Sequence, residues 1–167
     1  MALQSDRLKL PLLAAAQAQK EVTHNEALAL ADIAVQAVVQ SVAPPTVPAA
    51  PLPGQCWIVG TAPSGAWAGQ AGAIAAWTSG GWRFLAPFQG MMAWSIADGV
   101  TARRTASAWT VGALTAATLF VGDQQVVGSR QPRVIGPSGG TTVDTQSRAA
   151  IAAILAGLET HGLFSAT

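Results

Sequence analysis

"ALALADIAVQAVVQSVAPPTVPAAPLPGQCWIVG", residues 27–60, changes texture twice, and where those changes fall decides the fold. Its first part is Ala, Leu and Val with no breaker, and it reads as a helix running on to about residue 43. On that helix Leu28, Ala31, Val35, Val38 and Val42 share one face, and Leu30, Ile33, Ala34 and Ala37 cover much of the rest. Only Asp32, Gln36 and Gln40, spaced four apart, form a polar stripe. A helix this apolar needs cover on nearly every side, so the five residues of the first face are expected to form an interface in a homo-oligomer. Next come Pro44, Pro45, Pro48, Pro51 and Pro53, none of which fits inside a helix or a central strand. Residues 44–54 therefore read as an extended spacer, and "CWIVG" after them as the first strand.

Upstream lies "QAQKEVTHNEA", residues 17–27, which concentrates Lys20, Glu21, His24, Asn25 and Glu26 in a chain only 10% charged. Glu21 and His24 spell half of the Glu-x-x-His pattern that di-metal carboxylate bundles repeat on facing helices. The second half is missing: the only other histidine, His161, has Glu159 two residues away, on a different helix face. A second reading fits the spacing better. Thr23 and Glu26 form Thr-x-x-Glu directly before the apolar run, the pattern of a capping box that would start the main helix near His24. Residues 1–22 then form an arm with its own short helix after Pro11, the alternative being one unbroken helix through Thr23.

Downstream, residues 55–135 are rich in Trp, Gly, Thr and Val. Strand-length pieces ("AIAAW", "WRFLAP", "VTARR", "AWTVG", "TLFVG", "QQVVG", "RVIG") alternate with Gly-Gly, Asp-Gly and Gly-Asp turn signals, the pattern of a small antiparallel all-β module. "AAWTSGGWRF" and "MMAWSIADGV" are the clearest hairpins. Most of the Trp rings are expected to fill this module's core. Trp67, Trp77 and Trp82 lie next to Gly-rich turns, and these three are the candidates for stacking on the sugars of a surface polysaccharide. Residues 136–167 read as a Gly-rich tether and a short helix, with Asp144 as N-cap, Gly162 as stop, and Leu163 and Phe164 as an apolar tip for docking a partner. The fold class expected is thus α+β: an N-terminal helical region (1–43), a proline-rich linker (44–54), a Trp-rich β domain (55–135), and a tethered C-terminal helix (136–167).

Composition narrows the function. Half of the residues are hydrophobic and the formal net charge is +1, so a free monomer has little charge to keep it dispersed, and neighbouring subunits are expected to cover its surface. No uninterrupted apolar run reaches membrane-spanning length, so no membrane insertion is expected. The start mimics a signal peptide, but its apolar run is short and Ala-rich, so the segment is expected to be retained. Nine basic against eight acidic residues make no basic field for nucleic acid. Cys56, the single cysteine, is expected to be a small buried thiol. There is no P-loop, no dinucleotide fingerprint, no Gly-x-Ser-x-Gly elbow and no metal-ligand spacing, so neither cofactor, metal nor catalytic residue is expected.

The run "LKLPLLAAAQAQKEVTHNEALALADIAVQAVV", the proline linker, "PGQCWIVG", "GAWAGQAGAIAAWTSGGWRFLAP" and "GMMAW" resemble an uncharacterised family of bacterial prophages and gene transfer agents. Its members look like components of particle fibres or spikes. The resemblance spans about residues 8–110, and "VDTQSRAAIAAILAGLETHGLF" is similar to closing segments of other particle proteins. It brings no catalytic residues. It implies a virion-associated structural protein made in the bacterial cytoplasm: a spike base or adaptor, threefold or fivefold symmetric, joining a capsid or tail protein to a receptor-binding fibre protein. The alternative is a carbohydrate-binding module for host polysaccharide.

Overall fold

The computed structural model describes residues 3–14 and 20–165. The chain divides into two compact units, residues 1–113 and 114–167. Two helices stand around a mostly antiparallel β module, and the class is α+β as expected. Their boundaries differ from expectation in three places, each with a physical cause.

In the first unit, α1 spans Lys20–Ala34 and stops well short of residue 43. Gln36 takes a positive φ of 47°, and the chain then runs extended as β1, Val38–Val39. Long-range pairing decides this. The carbonyls of Ala37 and Val39 accept from the amides of Trp94 and Ile96, both at 2.9 Å, in a parallel pairing with β5 (Met92–Ser95). A few residues on, Gln40 donates to Cys56 and Ala43 to Ile58, so residues 37–43 stitch together two sheets that sequence reading had separated by a spacer. β-branched Val38, Val39 and Val42 suit that extended course better than a helix.

One sheet has the order β2 (Cys56–Ile58), β3 (Ile74–Thr78), β4 (Gly81–Leu85); the other has β1, β5, β6 (Val100–Arg104), β7 (Trp109–Val111). Both expected hairpins form: β3 meets β4 at Thr78↔Gly81 and β5 meets β6 at Ser95↔Val100. Between the sheets and under α1 lies a core of Ile33, Val39, Cys56, Ile58, Ile74 and Met91, closed by Ala76, Ala93 and Ala102, whose small side chains permit close approach. The other face of β2 and β3 carries a second core, in which Trp57, Val59, Trp67 and Ala75 pack with Val47, Trp77, Trp82 and Phe84. Val47 belongs to the proline-rich segment, so residues 44–54 fold back over the sheet instead of spacing the helix from it. With five prolines the segment has few amide donors to satisfy, and those of Leu52 and Gly54 are taken by Gln55 Oε1 and the Trp77 carbonyl, so it can lie across the sheet's face.

In the second unit, β8 (Leu119–Val121) and β9 (Gln124–Val127) form a hairpin through Gly122 and Asp123, both at positive φ as a type I′ turn requires. This hairpin was assigned by sequence to the Trp-rich domain; it belongs with the C-terminal helix. "RVIG" at 133–136 is not a strand. Helix α2, Thr145–Thr160, has the expected N-cap, since Asp144 accepts from the amide (2.9 Å) and hydroxyl (2.7 Å) of Ser147. The Gly162 stop also forms, at φ 74°.

Candidate functional site

The polar cluster near residue 20 is part of a structural clasp. α1 begins by Lys20, three residues before Thr23, so Thr23 is an exposed mid-helix side chain and the expected capping box is not made. Residues 15–19, which hold the glutamines of "QAQKEV", lie outside the described residues. Glu26 pairs instead with Arg83 of β4 at 2.8 Å. Asn25 donates to and accepts from the backbone of Leu13, both at 2.9 Å. Residues 3–12 make a tight loop, with Ser5 donating to Leu10 and Leu12 to Leu3; the short helix expected after Pro11 falls largely on residues 15–19, outside the described residues.

That loop locks onto α1 through residues far apart in sequence. The Arg7 guanidinium donates to the carbonyls of Asp32, Ile33, Val35 and Gln36, capping a helix C-terminus whose last carbonyls lack intrahelical partners. In return Asp32, only 5% exposed, accepts from the amides of Arg7 (2.9 Å) and Leu8 (2.6 Å). Asp6 accepts from the Ser79 amide and hydroxyl in the β3–β4 turn. A Cβ on Gly54 would meet the Asp6 carbonyl oxygen at 3.2 Å, which explains a glycine where the loop crosses the chain. Asp32 was read as part of a wet stripe; it is an anchor. His24 is exposed, and among the described residues no group of three His, Cys, Asp or Glu is arranged to hold a metal. Burial pushes the Cys56 thiol up to about 11, with a smaller downward pull from Arg7 and a smaller upward push from Asp32.

The tryptophans sort differently from expectation. Trp67, proposed to contact sugars, is 2% exposed and lies 6.3 Å from Trp57 and 5.3 Å from Trp82, centroid to centroid. Trp77 and Trp82 are half-buried and meet edge to face at 5.1 Å. These rings are the second core, because Trp57, Trp77 and Trp82 share the face of β2–β4 that the loop bearing Trp67 covers.

The ring that does face solvent is Trp94, 48% exposed. Along "MMAWSI" the small side chains Ala93 and Ser95 point inward while Met92, Trp94 and Ile96 point out. This inverts the usual pattern of a half-solvated sheet. Val38 pairs with Trp94 across the strands, and with exposed Phe88 these residues border a groove of about 540 Å³. The alternation of small and large side chains in this run is legible in the sequence; which of the two faces is covered is set by the structure.

The helix face expected as an oligomer interface is therefore dispersed. Leu28 and Ala31 are half-buried on α1, Val35 is exposed beyond its end, Val38 sits in β1 beside Trp94, and Val42 packs on the core. In the second unit, Leu163 is exposed and Phe164 half-buried. That tip is pinned: Gln131 donates to Leu163, Ser165 donates to Gln131, and Arg130 Nε donates to the Phe164 carbonyl. No helix among the described residues is long and apolar enough to cross a membrane.

The chain belongs to the DUF2793 family, a family of proteins of unknown function, whose model matches residues 24–110. The matched stretch covers most of α1, both sheets of the first unit except Val111 of β7, and the whole Met92–Trp94–Ile96 face, and ends before the second unit. No curated protein matches the chain.

Proposed function

We propose that this DUF2793 member is a non-enzymatic structural protein of a phage-like particle, a spike base or adaptor joining a capsid or tail protein to a fibre protein. The observation that carries the reading is the outward face of β5. Met92, Trp94 and Ile96 stand in solvent on a sheet whose inward positions are Ala93 and Ser95, so large apolar groups are spent on a surface, as they are at protein–protein contacts. An aromatic with a Met and an Ile around it is the composition of an interface centre. The resemblance to prophage and gene-transfer-agent proteins supplies the setting: synthesis in the bacterial cytoplasm and incorporation into the particle. The chain's low charge is consistent with a protein that is covered once assembled.

Incorporation tests this. Particles purified from the host bacterium are expected to contain the wild-type chain at fixed stoichiometry and to lack a Met92→Glu/Trp94→Glu variant that remains folded. A wild-type chain absent from particles would remove the proposal. The carbohydrate reading now rests on Trp94 alone, because Trp67 is buried and Trp77 and Trp82 are held in the aromatic core; a glycan contact there predicts quenching of Trp94 fluorescence by capsular polysaccharide.

A further inference from the structure

We infer that residues 114–165 complete their fold only against second copies of this chain, which makes them the self-assembly element of the adaptor; the inference rests on that reading of the chain as an assembly protein. In the first unit the sheets and α1 enclose two cores. In the second, no described residue is buried. Twelve of its large apolar side chains stand 40–86% exposed, among them Phe120 and Val121 on the hairpin, Ile135 in the connector, and Ile151 and Ile154 on α2.

The local signals are nevertheless those of a specified structure. The hairpin has a two-residue turn with both positions at positive φ, and α2 has a side-chain N-cap and a Gly162 stop. An isolated two-stranded hairpin is marginal in water, and a short helix gains most of its stability by burying an apolar stripe. A unit with good turns and caps but no interior needs its core from outside.

Two observations and one general condition point to another copy as the outside surface. Half-exposed aliphatic and aromatic side chains offer roughly 80 Å² each, so these twelve bring about 960 Å² per chain, somewhat above the ~800 Å² per partner of a stable interface. The segment carries Asp123, Asp144 and Glu159 against Arg130, Arg133 and Arg148, a net charge of zero, so like segments do not repel. A core that a segment cannot form alone must be present whenever the chain is made, and its own copies always are, the condition of an obligate homo-oligomer.

All six Trp residues, at 57, 67, 77, 82, 94 and 109, lie in the first unit, so Trp emission reports that unit alone while hydrogen exchange follows 149–158. For the full-length wild-type chain, sedimentation velocity at about 50 μM is expected to give a single oligomer with α2 amides protected; dilution to about 0.1 μM should yield monomers in which that protection is lost and Trp emission is unchanged, as coupled folding and association require. Ile151→Glu/Ile154→Glu, and separately Phe120→Glu/Val121→Lys, should each raise the dissociation constant more than about a hundredfold by placing charges in an apolar contact. Met92→Glu/Trp94→Glu should leave the mass unchanged. A wild-type monomer at about 50 μM, with α2 protected or not, would overturn the inference, as would an oligomer dissolved by the Met92/Trp94 variant and not by the other two. These outcomes are independent of the adaptor reading, which stands or falls on whether purified particles contain the chain.

Discussion

Replacing Asp32 with Ala should loosen the first unit more than any other change to a charged residue. The carboxylate is 5% exposed and accepts two backbone amides, Arg7 N at 2.9 Å and Leu8 N at 2.6 Å. Hydrogen bonds to a charged group contribute about 1.5–3 kcal/mol each net of water. Their sum is an upper limit, because once residues 3–12 lift off, both amides regain water and the loss stops growing. Lifting also removes the Arg7 cap from α1, whose half-exposed carbonyls hydrate readily. The expected destabilisation is therefore about 3 kcal/mol, or a fall in Tm of roughly 12 °C for a unit near 110 residues. Asp32→Asn keeps one acceptor and should lose about half as much. The assay is thermal unfolding followed by Trp emission, since every Trp lies in this unit. Hydrogen exchange at Arg7 and Leu8 supplies the second readout. A loss under ~1 kcal/mol with those two amides still protected would refute the reasoning, since it would mean the amides have other partners.

Four further outcomes follow from the same structure. Thr23→Ala should change stability by less than ~0.5 kcal/mol, because Thr23 is an exposed mid-helix residue; a loss near 1 kcal/mol would restore the capping box. Trp67→Ala should lose about 3–5 kcal/mol and Trp67→Phe much less, measured by denaturant unfolding, because a buried ring packed against Trp57 and Trp82 leaves a cavity. Hydrogen bonds from the Ser147 amide and hydroxyl hold the Asp144 carboxyl below its usual range, so its support of α2 is fully present above about pH 4 and lost as pH falls through the depressed value. Circular dichroism should show that loss in the wild type, while Asp144→Asn, an equally good cap, shows a flat profile. Cys56, with its thiol near 11 and its side chain buried, should resist iodoacetamide at pH 8 in the folded protein and react once denatured.

Sequence reading reached what local chemistry dictates. The Ser79-Gly80 and Asp98-Gly99 turns, the Asp144 cap and the Gly162 stop are each written within a few residues, and each forms. The stretch 35–43 reads as helix because Gln36 and Ala37 favour helix locally, and what overrides them is the need of the Trp94 and Ile96 amides for acceptors about sixty residues away. The clasp was invisible for the same reason: nothing near Arg7 announces that its partners are the last carbonyls of a helix twenty-five or more residues on. Trp burial failed on a different point. Alternation shows that two faces exist but not which is covered, and here the loop bearing Trp67 covers one face of β2–β4 while the outer face of β5 stays open. The distinction between a first unit with two cores and a second with none was hidden, because the second carries as ordinary a supply of Leu, Ile, Val and Phe as a segment that folds on its own.

The claim that this chain is an adaptor is tested most directly by electron cryomicroscopy of intact particles from the host bacterium. The account predicts density for residues 24–110 at the foot of a spike or fibre, with Met92, Trp94 and Ile96 pressed against a different particle protein and the 114–165 segments of neighbouring copies packed together. Particles without the chain, or with the β5 face open to solvent in every copy, would contradict it.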